Sequence, residues 1–213
     1  MWPGDPRPAT RVWATIEANG YALNRWAIGE HTGTHLGAPA HFTPGGPTVD
    51  QLAVEHLVGP CAMIDARGRA ERDPDYALSV DDLIAWEARH GPIPRRSFVL
   101  LGTGWDRHWS APDRYFNVDD HGVMHFPGFS PEAAAWLLNQ RDALGLGIDT
   151  PGVDPGCDTS FATNERLSRA GRIHLENLCQ VTQLPPQGAW LVIGALPLVG
   201  GSGSPARVLA LIP

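Results

Sequence analysis

Between residues 97 and 149, an apolar run, a helix signal and a second apolar run follow one another, and this order strongly constrains the fold. Ser97 to Thr103 is apolar and rich in strand-forming residues. Ser130-Pro131 supplies an N-cap and a proline at the first helical position, which predicts a helix through about residue 142. Leu144 to Asp149 is apolar again. The segment therefore predicts two strands joined by a helical crossover, as in an α/β domain.

The flanking segments add further elements. Residues 1 to 30 alternate loosely between apolar and polar positions, and Asn19-Gly20 is a turn pair, so a β-hairpin is predicted. Ser79 and Asp82 have capping-box spacing and predict a helix that Gly91-Pro92 ends. The remaining predictions are strands at 60–65, 173–178, 190–198 and 207–212, a short helix at 163–170, a loop at 37–47 and a turn at 200–205.

Composition narrows the class of partner. A chain of 213 residues with 43% hydrophobic residues can bury a sizeable core, and we expect a single domain over residues 1–213. The formal charge of −7 argues against a nucleic-acid surface, because phosphate binding needs clustered cations and the longest basic runs are pairs such as Arg95-Arg96. A small-molecule substrate is the better expectation, with no nucleic-acid or membrane partner.

Two residue types exclude further functions. All of the 16 basic residues are arginine, so Schiff-base chemistry and a P-loop lysine are impossible. The three cysteines have no CxxC pairing and are odd in number, which is typical of reduced thiols. The first residues have neither a basic region nor an apolar run, and the interpretation is a cytoplasmic protein.

The strongest chemical signal is the cluster of His31, His35 and His41, punctuated by Gly33 and Gly37. If this segment is extended, its odd-numbered positions share one face, and the glycines leave room for an ion or a ligand. Imidazole is a common ligand for zinc and other divalent metals, although two histidines alone make an incomplete set. The alternative is that these are polar loop residues held by backbone hydrogen bonds.

Three other polar positions have competing interpretations. Glu176 lies between apolar neighbours, where a carboxylate needs a partner, and His174 shares its face on a strand. His174 could be a substitute ligand, but the pattern favours a surface histidine. Asn164 can orient a substrate or cap a short helix. His121 and His125 repeat the spacing of the first two histidines, but a solvated loop near the pocket mouth is the preferred interpretation.

The stretch HTGTHLGAPAHF, residues 31–42, resembles the signature H-x-G-T-H-x-D-x-P-x-H-F of the metal-dependent cyclase/hydrolase group typified by bacterial kynurenine formamidase. Every fixed position matches except the aspartate, which is Gly37 here. Other motifs of the family follow in its order along essentially the whole chain: Trp2-Pro3-Gly4-Asp5, Thr103-Gly104-Trp105, Gly147-Ile148-Asp149-Thr150 with Asp154, Glu176-Asn177-Leu178, and Gly203-Ser204-Pro205-Ala206-Arg207-Val208.

The resemblance implies roles for individual residues. It implies that His31 and His35 are metal ligands, that Glu176 is a further ligand or an acid, and that His41 is the general acid/base. It also implies that Trp2 contacts the substrate. We add Asn164 and Trp105 as expected substrate contacts, Trp105 as one of an aromatic set able to line a pocket: Trp2, Trp26, Trp105, Trp109, Phe116 and Phe126.

Two departures from the family alter the implied metal centre. Gly37 removes a bridging carboxylate, and Asn164 stands twelve positions before Glu176, where the family has a second-metal histidine. We therefore expect at most a single divalent ion, zinc or manganese, with a metal-free site as the alternative.

The implied reaction is hydrolysis of an amide, lactam or lactone of a small carbonyl compound, or ring closure. The alternatives are a metal-independent natural-product cyclase or dehydratase and a catalytically idle ligand-binding relative. The implied fold is an α/β domain of the swivelling β/β/α type, with a mixed central sheet or barrel-like core and flanking helices, forming a homodimer or homotetramer.

Overall fold

The computed structural model describes residues 2–212, and a closed seven-stranded barrel forms its centre. The described strands are β1 (Ala9–Ala14), β2 (Leu23–Ala27), β3 (His35–Gly37), β4 (Val58–Asp65), β5 (Ala77–Leu78), β6 (Phe98–Gly102), β7 (Gly128–Phe129), β8 (Gly145–Ile148), β9 (Ile173–Glu176), β10 (Ala189–Ala195) and β11 (Gly203–Leu211). The described helices are α1 (Ile16–Asn19), α2 (Arg67–Ala70), α3 (Val80–His90), α4 (Pro112–Phe116), α5 (Pro131–Arg141) and α6 (Ala162–Arg169).

The barrel is mixed. Its order is β10-β11-β3-β9-β8-β6-β4, with β4, β6, β8 and β9 parallel and the remaining pairs antiparallel. The strand β3 has only three residues, yet it lies between β11 and β9 and completes the ring. The expected α/β class with a barrel-like core and flanking helices is confirmed.

The predicted crossover is confirmed in detail. β6 and β8 are adjacent and parallel, and α5 connects them in sequence. Ser130 caps α5 by accepting a hydrogen bond from the Ala133 amide, with Pro131 at the first helical position. The predicted capping box of α3 also forms, since Ser79 and Asp82 exchange side-chain to backbone hydrogen bonds.

Two predicted turns differ from the structure. β1 and β2 pair as the expected antiparallel hairpin, but α1 fills the connection and Gly20, with φ of 78°, ends that helix. Residues 200–205 were expected to form only a turn. Instead β11 begins at Gly203, because Gly203 to Pro205 pair with β3.

Barrel strands alternate between two cores, and this explains their nearly continuous apolar sequences. In β6, Val99 and Leu101 join the cluster that includes α3 and α5 residues, whereas Phe98 and Leu100 join a second cluster with residues of β3, β9 and β10. Because both faces of these strands are covered, the barrel provides a rigid frame for side chains at its strand ends.

The cysteines at 61, 157 and 179 are all free thiols, and burial raises the pKa of Cys61 to about 12. Among residues 2–212, no helix combines the length and the apolar character that a membrane span requires.

Candidate active site

The register between β3 and β9 places the polar groups of the site. His35 lies opposite Glu176, and Gly37 lies opposite His174. Between them, Leu36 pairs with a leucine of β9, and both leucines belong to the core cluster. Because side chains alternate along a strand, the intervening apolar pair leaves His35, His174 and Glu176 together on the other face.

The extended arrangement expected for residues 31–41 is wrong. Only His35–Gly37 is a strand, and Pro39–His41 is a turn of 3-10 helix. His31 nevertheless reaches the same site, its ring centroid lying 4.9 Å from that of His35. A Cβ atom on Gly203 would lie 2.4 Å from His31 Cε1, so a glycine at this position makes room for the imidazole.

His31, His35 and His174 each offer a ring nitrogen, and these nitrogens lie within 4.8 Å of one another. The expectation that His174 is a surface residue is wrong, because it is 1% exposed. A Cβ atom on Gly37 would lie 1.8 Å from His174 Nε2, so the imidazole fills the space that a side chain at position 37 would enter. The sequence pattern raised His174 as a substitute ligand, but it could not show this contact.

Hydrogen bonds set the tautomers of two of these rings. His35 Nδ1 donates to the Gly33 carbonyl at 2.9 Å, so the neutral ring carries its lone pair on Nε2. That Nε2 atom is buried without a hydrogen-bond partner, 3.2 Å from Glu176 Oε2. Ser202 Oγ donates to Glu30 at 2.6 Å and therefore accepts from His31 Nε2 at 3.2 Å. His31 Nδ1 is then the unprotonated nitrogen.

Burial dominates the electrostatics of the site. It lowers the pKa of His31 to about 3, assisted by the neighbouring His41 and His35. It also lowers the pKa of His174 to about 4, against the attraction of Glu176. Burial alone would raise the pKa of the Glu176 carboxyl, but the adjacent His174 and His35 rings and the hydrogen bond from the Val153 amide outweigh it and hold that pKa well below its usual range. His31 and His174 are thus neutral near pH 7, beside an ionised Glu176 carboxylate.

His41 lies beside this group at a cavity of about 290 Å³. Its ring stacks on His31 with centroids 3.9 Å apart, and the side chain remains exposed to solvent. Partial desolvation of the ring by the cavity wall lowers the pKa of His41 below its usual range, opposed by Glu176, so a neutral ring is available as a base. Aromatic rings of Trp2, Phe42, Phe116 and Phe161 line the same cavity.

Two of the three expected substrate contacts reach the cavity. Trp2 lies in its wall, edge-on to Phe116. Asn164 lies on α6 with its Oδ1 atom buried and without a hydrogen-bond partner, so this oxygen is available to a ligand. Trp105 does not line the cavity, because it is 5% exposed and its indole nitrogen donates to the Tyr115 carbonyl behind the wall.

The aromatic set from the sequence was only partly correct. Trp26 and Trp109 are exposed to solvent, and Phe126 packs behind the wall. Phe42 and Phe161 were missed, although Phe42 belongs to the histidine signature. Phe161 has φ of 54°, a left-handed conformation that is rare for a phenylalanine and that cannot be read from sequence.

The other polar residues singled out earlier have structural partners. His125 Nδ1 lies 2.8 Å from Asp75, away from the histidine cluster. Asp149 accepts from the Thr103 and Gly104 amides, and Asp154 accepts from two amides at the start of α6. These contacts agree with the expectation that the two aspartates hold turns and the wall of the site.

Residues 1–155 match the protein family described as "Putative cyclase". The chain belongs to the cyclase family. It is 35% identical to an isatin hydrolase from Roseibium aggregatum over 91% of this chain and 76% of that protein. It is also 28% identical to a kynurenine formamidase from Geobacillus thermodenitrificans, over 97% of this chain and 88% of the relative.

A solved structure extends the comparison to the fold. An isatin hydrolase bound to the product analogue thioisatinate has a TM-score of 0.92 and 32% identity, covering 98% of this chain and 83% of that one. The expected relation to the cyclase family and to kynurenine formamidases is therefore confirmed, and the family relationship supports an enzyme of the hydrolase type.

The residues of the site fit one divalent ion and do not fit the family's paired centre. Three buried or half-buried imidazoles converge, and an unpartnered lone pair on His35 is available. A second ion would need the carboxylate absent at Gly37 and the imidazole absent at Asn164.

Proposed function

We propose that this protein hydrolyses the amide bond of a small aromatic carbonyl compound, with a fused cyclic amide such as isatin as the first candidate. The single observation that carries this proposal is the cavity of about 290 Å³, in which aromatic walls face the histidine group and His41. That volume is at the small end of ligand pockets and suits a bicyclic molecule. The names of the isatin hydrolase and kynurenine formamidase relatives support an aromatic amide as substrate.

In the proposed reaction, water adds to the amide carbonyl carbon, the carbon–nitrogen bond breaks, and the nitrogen takes a proton. The products are an amine and a carboxylic acid, which releases its proton to solvent to become the carboxylate, and the two groups remain in one molecule when the amide is cyclic. His41 accepts the proton from water and returns it to the leaving nitrogen. A bound divalent ion, zinc or manganese, would supply Lewis-acid polarisation of the carbonyl and a lowered pKa for water.

The other side chains position the reactants. Glu176 accepts a hydrogen bond from the Val153 amide at 2.9 Å, which fixes its carboxylate beside His35. We propose that Glu176 acts with the histidines as a ligand or proton acceptor. Trp2 packs against the aromatic ring of the substrate, and the unpartnered Asn164 amide orients its polar group. Trp105 supports Tyr115 and is not proposed to touch the substrate.

We also propose that residues 1–213 act as one functional unit in a homodimer or homotetramer. The exposed surface of the β1–β2 hairpin supports this proposal. Every residue of β2 is exposed, as are all of β1 except Ala14. A two-stranded sheet is marginally stable in water, so large apolar side chains on it are suited to cover by a second copy of the chain.

The catalytic assignment is tested with His41→Gln. We expect kcat/KM for a hydrolysed aromatic amide to fall by about 10² to 10⁴, the usual contribution of a general acid/base. Bound metal per chain should not change. The matched control is His121→Gln, because His121 is exposed to solvent, does not line the cavity and should keep full activity.

The assay should include isatin, N-formyl aromatic amines and an aromatic lactone, with and without added zinc or manganese. Hydrolysis of none of these by the metal-loaded wild type would contradict the proposed function. Full activity of His41→Gln would contradict the role of His41. Activity that survives complete metal removal would favour the metal-independent alternative.

A further inference from the structure

We propose that His174 replaces the carboxylate ligand of the cyclase signature, so that His31, His35 and His174 form an all-imidazole site for one zinc-like ion. This inference rests on one part of the proposed function, namely that the site binds a divalent ion. Gly37 is the missing ligand of the signature, and His174 is the residue directly opposite it on β9. We infer that the carboxylate missing at Gly37 and the imidazole of His174 belong to one exchange of ligands.

The exchange is a steric requirement as well as a chemical one. A Cβ atom at position 37 would overlap His174 Nε2 at 1.8 Å, so an aspartate at position 37 and this imidazole placement are mutually exclusive. The loss of the side chain at Gly37 therefore creates the space in which His174 lies. His174 Nε2 therefore lies almost at the position that the Cβ atom of the signature aspartate would occupy.

Burial supports a ligand role for the ring. His174 is 1% exposed, and its Nδ1 atom has no hydrogen-bond partner among the described residues. An unpaired polar atom in a buried site is costly unless a ligand or a water satisfies the ring. His35 Nε2 is unpaired in the same site, and the His35 and His174 rings are nearly perpendicular, with centroids 6.2 Å apart.

The donor set has a consequence for metal choice. Three imidazoles with one position open form the donor set of a catalytic zinc site, whereas manganese prefers carboxylate and water oxygens. Exchanging an aspartate for a histidine also removes one negative charge from the ligand set. The structure thus points to zinc or cobalt over manganese, and the other members of the ligand set, His31 and His35, are unchanged from the signature.

The test compares metal binding by tag-free, metal-stripped protein using zinc calorimetry and Co²⁺ absorption spectroscopy. Wild type should bind about one Zn²⁺ per chain and give an intense four-coordinate Co²⁺ spectrum. His174→Ala should weaken zinc binding by more than about 100-fold, since even loss of an outer partner of a ligand costs 10–100-fold. His121→Ala, at an exposed histidine, is the control and should bind like wild type.

The double variant Gly37→Asp/His174→Ala tests the ligand exchange independently if the single variant folds poorly. It restores a carboxylate and removes the clash, so metal binding should return with the Zn²⁺/Mn²⁺ affinity ratio lowered by about 10-fold or more. Gly37→Asp alone should lose metal binding, because the aspartate and His174 compete for the same space.

Three outcomes would overturn the inference: unchanged zinc affinity in a folded His174→Ala protein, an unchanged Zn²⁺/Mn²⁺ ratio in the double variant, or wild type that binds no zinc. The proposed function is contradicted by different results. A wild type that binds zinc through His174 but hydrolyses no amide contradicts the hydrolase proposal alone, and hydrolysis that persists without zinc binding contradicts the ligand proposal alone.

Discussion

Gly203 shows how one missing side chain can set the geometry of the whole site. It pairs with Gly37 across β11 and β3, and each of these glycines has an imidazole packed over it. His31 occupies the space above Gly203, and His174 occupies the space above Gly37. Because both rings are held by packing, a methyl group at either position must displace a proposed metal ligand.

We predict that Gly203→Ala lowers Co²⁺ affinity by about 10-fold or more and destabilises the fold by about 1–3 kcal/mol, the usual cost of overpacking. The added Cβ would lie 2.4 Å from His31 Cε1. Gly194→Ala is the matched control on β10, since the nearest atom to its Cβ would be 3.4 Å away. Co²⁺ titration and urea unfolding measure both effects, and equal behaviour of the two variants would contradict the packing argument.

At the scale of elements, the β1–β2 hairpin and the barrel strands differ in how their apolar residues are covered. Val99 and Leu101 of β6 are completely buried, whereas Trp13 and Trp26 of the hairpin are each 63% exposed. Sequence alternation predicted the hairpin correctly, but the prediction of a tight turn at Asn19-Gly20 was wrong. Thr15 caps the short helix α1 at this connection by accepting a hydrogen bond from the Ala18 amide. The turn pair did not indicate this helix.

The exposed hairpin predicts that association of the chain depends on its tryptophans. Wild type should be a dimer or tetramer in light scattering coupled to gel filtration, and Trp13→Glu/Trp26→Glu should shift the mass to that of the monomer. Each charge would have to be buried in an interface between copies, which is strongly unfavourable. Ile84→Glu, on an exposed position of α3, is the control and should keep the wild-type mass. A monomeric wild type would contradict the proposal.

At the scale of the whole molecule, closure of the barrel and assembly of the site depend on the same strand, β3. The three residues of β3 join β11 to β9, and they also carry His35 and Gly37. Leu36, between them, is fully buried in the core cluster shared with β9 and β10. Stability of the core and placement of the site therefore depend on the same short strand.

We predict that Leu36→Ala lowers the free energy of unfolding by about 2–5 kcal/mol, the cost of deleting a buried leucine side chain. Metal affinity should fall as well, since the strand that carries His35 loses its anchor. The control is Leu209→Ala on β11, whose side chain is 52% exposed and whose cost should be within about 0.5 kcal/mol. Urea unfolding of both variants gives the comparison, and equal stabilities would contradict this dependence.

Much of the fold could be predicted from local sequence because its signals act over a few residues. Ser79 and Asp82 cap α3, Ser130 caps α5, and the apolar runs form β6 and β8 as expected. The signature histidines identified the family for the same reason, since their spacing lies within one short segment. The sequence alone thus determined the class of fold, the family, and the region that contains His31, His35 and His41.

Only the tertiary structure decided how the site is completed. The sequence indicated that Gly37 removes a metal ligand, and it favoured a surface position for His174. The register of β3 against β9 instead places the two in contact, although 136 intervening positions separate them in the chain. Phe161 enters the cavity for a similar reason, through a backbone conformation held within the folded protein. Contacts of this kind depend on strand pairing and barrel closure, which local patterns do not encode.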